Sequence, residues 1–298
     1  MIVTRQYELA VLQSVVYASL FDYPLTLDQL HESLIGVRAD REAIVAWWRT
    51  SDLLQATIEY RDGWFFPAGR SDLIATRARR ERVSRDLLDR DRRMLSVISR
   101  IPFVRMVALS GSLAHLNAEG SADLDLFMIT APHRVWSVTL AVLVLSRVMG
   151  WRKHICLNYV ISENTMKIVP EDLFTANQIV HLQPVFGARV FDRFVTTNGF
   201  VRTHYPNFEL STRTTPEARV TMIERVMSLG LAPLAERIAR AVYGRHLARK
   251  AATWQSRDEV RLHAECLKLH TSSHKALTLK RFDAALRAAV ADVNVLAS

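Results

Sequence analysis

Between residues 5 and 20, apolar side chains fall at Leu9, Leu12, Val15, Val16 and Leu20, the spacing of one helix face. Thr26 stands before "LDQLHESL" as the N-cap of a second helix. Gly36 breaks the pattern, and a third helix is expected from about Asp40 to Thr50. "LLQATIEYRDGWFFPAG" alternates and turns at Arg61-Asp62-Gly63, which predicts a β-hairpin. Leu73, Ile74, Ala78, Leu87, Leu88, Met94 and Leu95 then keep a helical period among arginines and acids, so one long connecting helix follows, with Ser71 as its cap. "FVRMVALSGS" and "ADLDLFMIT" read as buried strands, and a helix is expected from Pro132 to about Met149. "HICLNYVIS" is a third strand and "TMKIV" a fourth, with another helix opened by Pro170. Beyond about Thr215 the pattern predicts helix only, broken near residues 271–273.

Strands alternating with helices indicate an α/β unit with a small mixed sheet, set inside a multidomain α+β chain. The expected divisions are residues 1–70, a connecting helix at 71–99, the α/β domain at 100–210 and an all-helical domain at 211–298. Three helices followed by a hairpin resemble a winged helix-turn-helix. Charge argues against DNA as its partner: residues 1–70 hold six arginines against nine acids, net −3, whereas a groove reader needs a basic face. A unit that docks protein, or packs within the chain, is the favoured expectation. The arginine run at 77–82 is interleaved with acids and reads as an ion-paired, solvated face.

The whole chain of 298 residues carries a net charge of +9, and residues 211–298 alone contribute +7. An acidic partner or RNA would therefore meet the C-terminal part, where Lys268, His270, His274, Lys275, Lys280 and Arg281 gather. Arg257 to His263 and Arg240 to His246 also match a loose Arg…His spacing seen in helical RNases. Cys156 and Cys266 are far apart with no CxxC, which fits a reducing cytoplasm and no structural zinc. The apolar run Val135–Ser146 falls short of the ~20 residues of a membrane span, so no membrane partner is expected.

Chemistry concentrates in "ALSGSLAHLNAEGSADLDLFMIT", Ala108 to Thr130. Asp123 and Asp125 are one residue apart, so on a strand they share a face with Cα atoms about 6.5–7 Å apart. Two carboxylates in apolar surroundings repel and lose hydration unless a cation sits between them. Mg²⁺ on phosphate oxygens commonly uses one or two such groups. Gly111-Ser112 ends the preceding strand, where a sharp turn leaves backbone N–H groups free for an anion.

These residues resemble the signature of the DNA polymerase β-like nucleotidyltransferase superfamily. Gly111-Ser112-Leu113-Ala114 is similar to its Gly-Ser-x-Ala, and Ser121-Ala122-Asp123-Leu124-Asp125 to its Ser-Asp-x-Asp, with Ala122 intervening. The likeness covers roughly residues 100–180. It implies that Gly111 and Ser112 hold the β/γ-phosphates of a nucleoside triphosphate. It also implies that Asp123 and Asp125 hold Mg²⁺ or Mn²⁺, and that NMP passes to a hydroxyl of a protein, RNA or small molecule. The family's third carboxylate has no counterpart, because the expected strand offers only Asn158, whose amide oxygen is a neutral metal ligand that accepts no proton. Two classes of function are thus open: a Mg²⁺-dependent nucleotidyltransferase, or a nucleotide-binding sensor or adaptor using the same pocket. A DNA-binding regulator is a weaker third.

Overall fold

The computed structural model describes residues 2–210, 215–254, 260–269 and 274–296. It opens with α1 (Ile2–Ser19), β1 (Leu25–Thr26), α2 (Leu27–Glu32), α3 (Arg41–Thr50), α4 (Asp52–Thr57), β2 (Ile58–Arg61) and β3 (Trp64–Pro67). Thr26 caps α2 in a full capping box with Gln29, and the Asp40 carboxylate accepts the Ala43 N–H at the start of α3. "LLQAT", expected as a strand, is instead helix: the Ser51 hydroxyl accepts the Leu54 N–H and starts α4. The hairpin keeps only its distal part, and β3 pairs antiparallel with both β1 and β2. Arg41 on α3 is bound to Asp28, while Arg49 in the last turn of that helix is exposed.

A single helix of 27 residues follows, α5 (Asp72–Ile98). Leu73, Arg77, Ser84, Leu87, Asp91, Met94 and Ile98 form its buried face. Ser71 stands at its start but makes no side-chain cap. Of the arginines at 77–82, Arg80 pairs with Glu119 at 2.9 Å, whereas Arg77 is buried against Tyr23 instead of forming part of a solvated face; Arg85, just beyond, pairs with Glu81.

Next come β4 (Val104–Leu109), α6 (Gly111–Ala114), β5 (Leu124–Thr130), α7 (Val135–Val148), β6 (Ile155–Ser162), α8 (Leu173–Val180), β7 (Gln183–Phe186), α9 (Ala188–Thr197) and α10 (Val201–His204). The chain continues through α11 (Met222–Ser228), α12 (Leu231–Lys250), β8 (Val260–His263), β9 (Cys266–Leu269) and α13 (His274–Leu296). Six strands make one mixed sheet in the order β7-β4-β5-β6-β9-β8. Only β5 and β6 run parallel; the other neighbours are antiparallel. The chain is thus α+β, with thirteen α-helices among the described residues.

Three expectations are corrected. The C-terminal part is not all helical, because Val260–Leu269 alternates with period two and turns at Ala264-Glu265, so it folds as a hairpin. β9 lies against β6, where Leu267 is 1% exposed in the core. Second, "TMKIV" is not a strand: the Asn198 side chain accepts the Ile168 N–H and donates to Met166 O, replacing a ladder. The next strand in the chain is β7, which pairs with β4 and accommodates Pro184 because it is an edge. Third, α7 begins at Val135 and not at Pro132. His133 takes φ +58 there, and the Glu236 carboxylate from α12 accepts the Trp136 and Ser137 N–H groups.

One cluster of buried side chains lies on the α7/α12 side of the sheet and another beneath α8 and α9. A third fills the N-terminal unit and includes Phe282 of α13, packed edge-on against Tyr17 of α1. No described helix is long and apolar enough to cross a membrane. His270 and Arg257 of the C-terminal patterns lie outside the described residues. Within them, Lys275 bonds the α8-capping carboxylate of Asp172, and His246 stacks on Tyr243.

Candidate functional site

β4 ends at Leu109, and the next two residues turn across the start of β5. Ser110 N–H donates to Asp125 O at 2.9 Å. Gly111 then takes φ +64, and a Cβ built there would lie 2.4 Å from Asp125 Oδ2. Both the backbone conformation and the space therefore demand glycine. α6 is only four residues long, so the anion-binding capacity of this turn rests on individual N–H groups and the Ser112 hydroxyl, not on a helix dipole.

On the other side of β5, Asp125 pairs in register with Cys156 of β6. Asn158 Nδ2 donates to Asp125 Oδ1 at 2.7 Å, and Cys156 Sγ donates to Asn158 Oδ1 at 2.9 Å. Asn158 thus meets Asp125 as a hydrogen-bond donor, with its amide oxygen turned to the thiol. Burial raises the Asp125 pKa above the ordinary carboxylate value; the Asn158 bond opposes this, and the charge of Asp123 adds to it. Asp123 is exposed, one residue before β5 begins. Gly111, Ser112, Asp125 and Asn158 line one cavity, and Asp123 does not.

That cavity measures ≈ 590 Å³ and is enclosed by α1, α8, the sheet and α13. Most of its wall is aromatic or aliphatic. Asp125 is the only acid among its described lining residues, and no Lys or Arg is among them. A second cavity of ≈ 470 Å³ adjoins it, sharing Tyr23, Leu25, Ser33, His115 and His181. Arg77 borders the second one. Its guanidinium lies 3.8 Å from the Tyr23 ring centre and donates to His115 O at 2.9 Å.

His115 and His181 face each other with ring centres 4.3 Å apart, enclosed except where they line the cavities. Burial, then the nearby Arg77 charge, lowers the His115 pKa to about 4. Burial, then His115, holds His181 well below its ordinary value. Both rings are neutral near pH 7. Below about pH 6.5 the unfolded chain takes up protons here that the native state refuses, so stability falls with pH from about 6.5 toward 4. The ceiling is about 1.4 kcal/mol per pH unit for each proton. Urea midpoints at pH 7, 6 and 5 are expected to drop stepwise in the wild type and less steeply in His181→Gln; parallel slopes would contradict this.

Neither histidine carries a local sequence signal: His181 stands alone at the C-cap of α8 without any local pattern. Asn117 lines the cavity and donates to Phe21 O at 2.8 Å. Lys167 is paired with Glu171 at 3.1 Å, away from this wall.

As donors for a divalent cation, Asp125 and Asp123 supply two hard oxygens, which suits a Mg²⁺ ion that fills its remaining positions with water and phosphate. Asp125 Oδ2 packs against the Gly111 bend, and Oδ1 accepts the Asn158 amide. Among the described residues, no group of three or more His, Cys, Asp or Glu is arranged to hold a metal by itself. Set against protein-family models, curated proteins and solved structures, the chain matches none.

Proposed function

We propose that the protein binds a nucleoside triphosphate at Gly111-Ser112 and transfers its NMP to a hydroxyl acceptor. The observation that carries this reading is the glycine bend packed directly on the Asp125 carboxylate, with Asp123 close enough to shift its proton affinity. The N–H groups of the bend and the Ser112 hydroxyl hold the β/γ-phosphates. Asp123 and Asp125 hold Mg²⁺ or Mn²⁺, which when bound supplies charge neutralisation for the phosphates. Asn158 fixes the Asp125 carboxylate through its 2.7 Å bond and accepts no proton itself.

A second reading, a nucleotide sensor or adaptor, is favoured by Asn158 on β6, a neutral side chain where a third carboxylate would accept the proton. In either case the N-terminal unit, with its winged-helix-like order of elements, serves packing: its core is completed by α13. Its tied-up Arg41 and net charge of −3 weigh against duplex DNA. Two unpaired thiols accord with a reducing cytoplasm.

The deciding experiment incubates the full chain with labelled NTPs and Mg²⁺ or Mn²⁺, beside Asp123→Ala/Asp125→Ala and Asn158→Asp. Label transfer is expected to fall about 10²-fold or more in the double variant. In Asn158→Asp, which restores a third carboxylate, transfer is expected to rise. Metal-dependent NTP binding without transfer would establish the sensor, and absence of NTP binding in the wild type would end both readings.

A further inference from the structure

We infer that the acceptor is a small, uncharged and largely apolar molecule carrying a hydroxyl, and that it occupies the aromatic cavity beside Asp125. This rests on the nucleotidyl-transfer reading above and names its second substrate.

The cavity volume of ≈ 590 Å³ lies within the range of small-molecule sites and is far too small for a polynucleotide. Tyr17 and Phe21 approach it from the N-terminal unit, Phe127 from the sheet, and Phe174, Phe194 and Tyr205 from the α8–α10 side. Such a wall stabilises apolar surface by removing it from water. Beyond the Gly111-Ser112 bend it offers nothing to a second polyanion. No Lys or Arg is among the described lining residues, and its two histidines are neutral. Arg77, behind them, is committed to Tyr23 and the His115 carbonyl. An acceptor bearing a phosphate or carboxylate would lose its hydration and meet Asp125 with no compensating charge. A neutral molecule meets no such penalty, and the Asn158, Asn177 and Gln178 amides supply polar partners on the wall.

The transfer balances without further reagents. The acceptor oxygen forms a bond to the α-phosphorus, the bond from that phosphorus to the pyrophosphate oxygen breaks, pyrophosphate leaves, and the hydroxyl proton passes to solvent water.

The test titrates the full chain with N-phenyl-1-naphthylamine, an uncharged aromatic probe that fluoresces in apolar surroundings. Saturable binding with one site per chain is expected. Ala18→Phe and Thr278→Phe, which project a ring into the cavity from opposite ends of the chain, should each weaken it more than 10-fold, with thermal unfolding midpoints near wild type. Inorganic triphosphate and an oligo(A) RNA should leave it unchanged. In the labelled-NTP assay, aromatic alcohols should accept label in preference to oligo(A). No saturable site, full binding in both folded ring-insertion variants, or displacement by oligo(A) would overturn the inference. Probe binding that persists in a protein unable to bind NTP would sink the nucleotide reading and with it the acceptor role. NTP binding without any probe site would sink this inference alone.

Discussion

Gly111→Ala is expected to lower NTP binding and transfer by about 10²-fold while leaving the protein folded. The argument is geometric. A methyl at this position would stand 2.4 Å from Asp125 Oδ2, closer than real contacts allow, so the carboxylate must swing away. Swinging it breaks the Asn158 bond that holds it and moves one of the two proposed cation donors. The positive φ adds about 1–2 kcal/mol of strain. Gly150→Ala is the control, since Gly150 has φ +75 with open space around its Cβ position and pays the conformational term alone. Gly111→Ala should therefore be the less stable of the two in urea, and only it should lose function. Combining it with Asp125→Ala should recover the extra stability loss, a coupling a double-mutant cycle reads directly. Equal behaviour of the two glycine variants in both assays would show that the bend and the carboxylate act independently.

Glu224→Ala should give the largest loss of stability, about 3 kcal/mol. The Glu224 side chain is 5% exposed, and Arg105 meets it with two bonds, Nη2 to Oε2 at 2.8 Å and Nη1 to Oε1 at 3.2 Å. The same carboxylate accepts the Phe103 N–H at 2.8 Å, where Phe103 has φ +70 just ahead of β4. Removing one member of a buried pair costs about 3–5 kcal/mol, because the other charge is left without a partner. Arg105 retains Glu163 at 3.8 Å, which places the expectation at the lower end. Glu81→Ala, from the more exposed pair with Arg85, should change stability by well under 1 kcal/mol. Chemical denaturation of both variants tests the contrast. A Glu224→Ala loss as small as that of Glu81→Ala would show that the pair is solvated in solution.

The legible parts of this chain are those whose information is local. Thr26 and Asp40 announce helix starts through their own hydroxyl and carboxylate, and α5 keeps its buried period over 27 residues. Gly111 and Asp125 were found because a glycine after an apolar run and an acid within one are each locally odd. What escaped is decided at a distance. The capping of α7 comes from Glu236, a hundred residues on, and Met166–Ile168 is held by Asn198 instead of a strand. β8 and β9 were masked by surrounding helical sequence, although their alternation is present, and β7 was hidden by Pro184, which only an edge position tolerates. The cavity was not legible at all, since its walls come from elements as far apart as Tyr17 and Thr278.

The placement of β9 and α13 also sets an order of events during synthesis. Until residues 260–296 emerge from the ribosome, β6 presents a bare edge and Tyr17 of α1 lacks the ring of Phe282. A nascent chain of 250 residues would thus carry an open sheet margin and an unfinished first core, both of them surfaces that other strands and apolar segments recognise. Closure of the molecule waits on residues 260–296, and a chain stalled before them is the form most in need of a chaperone.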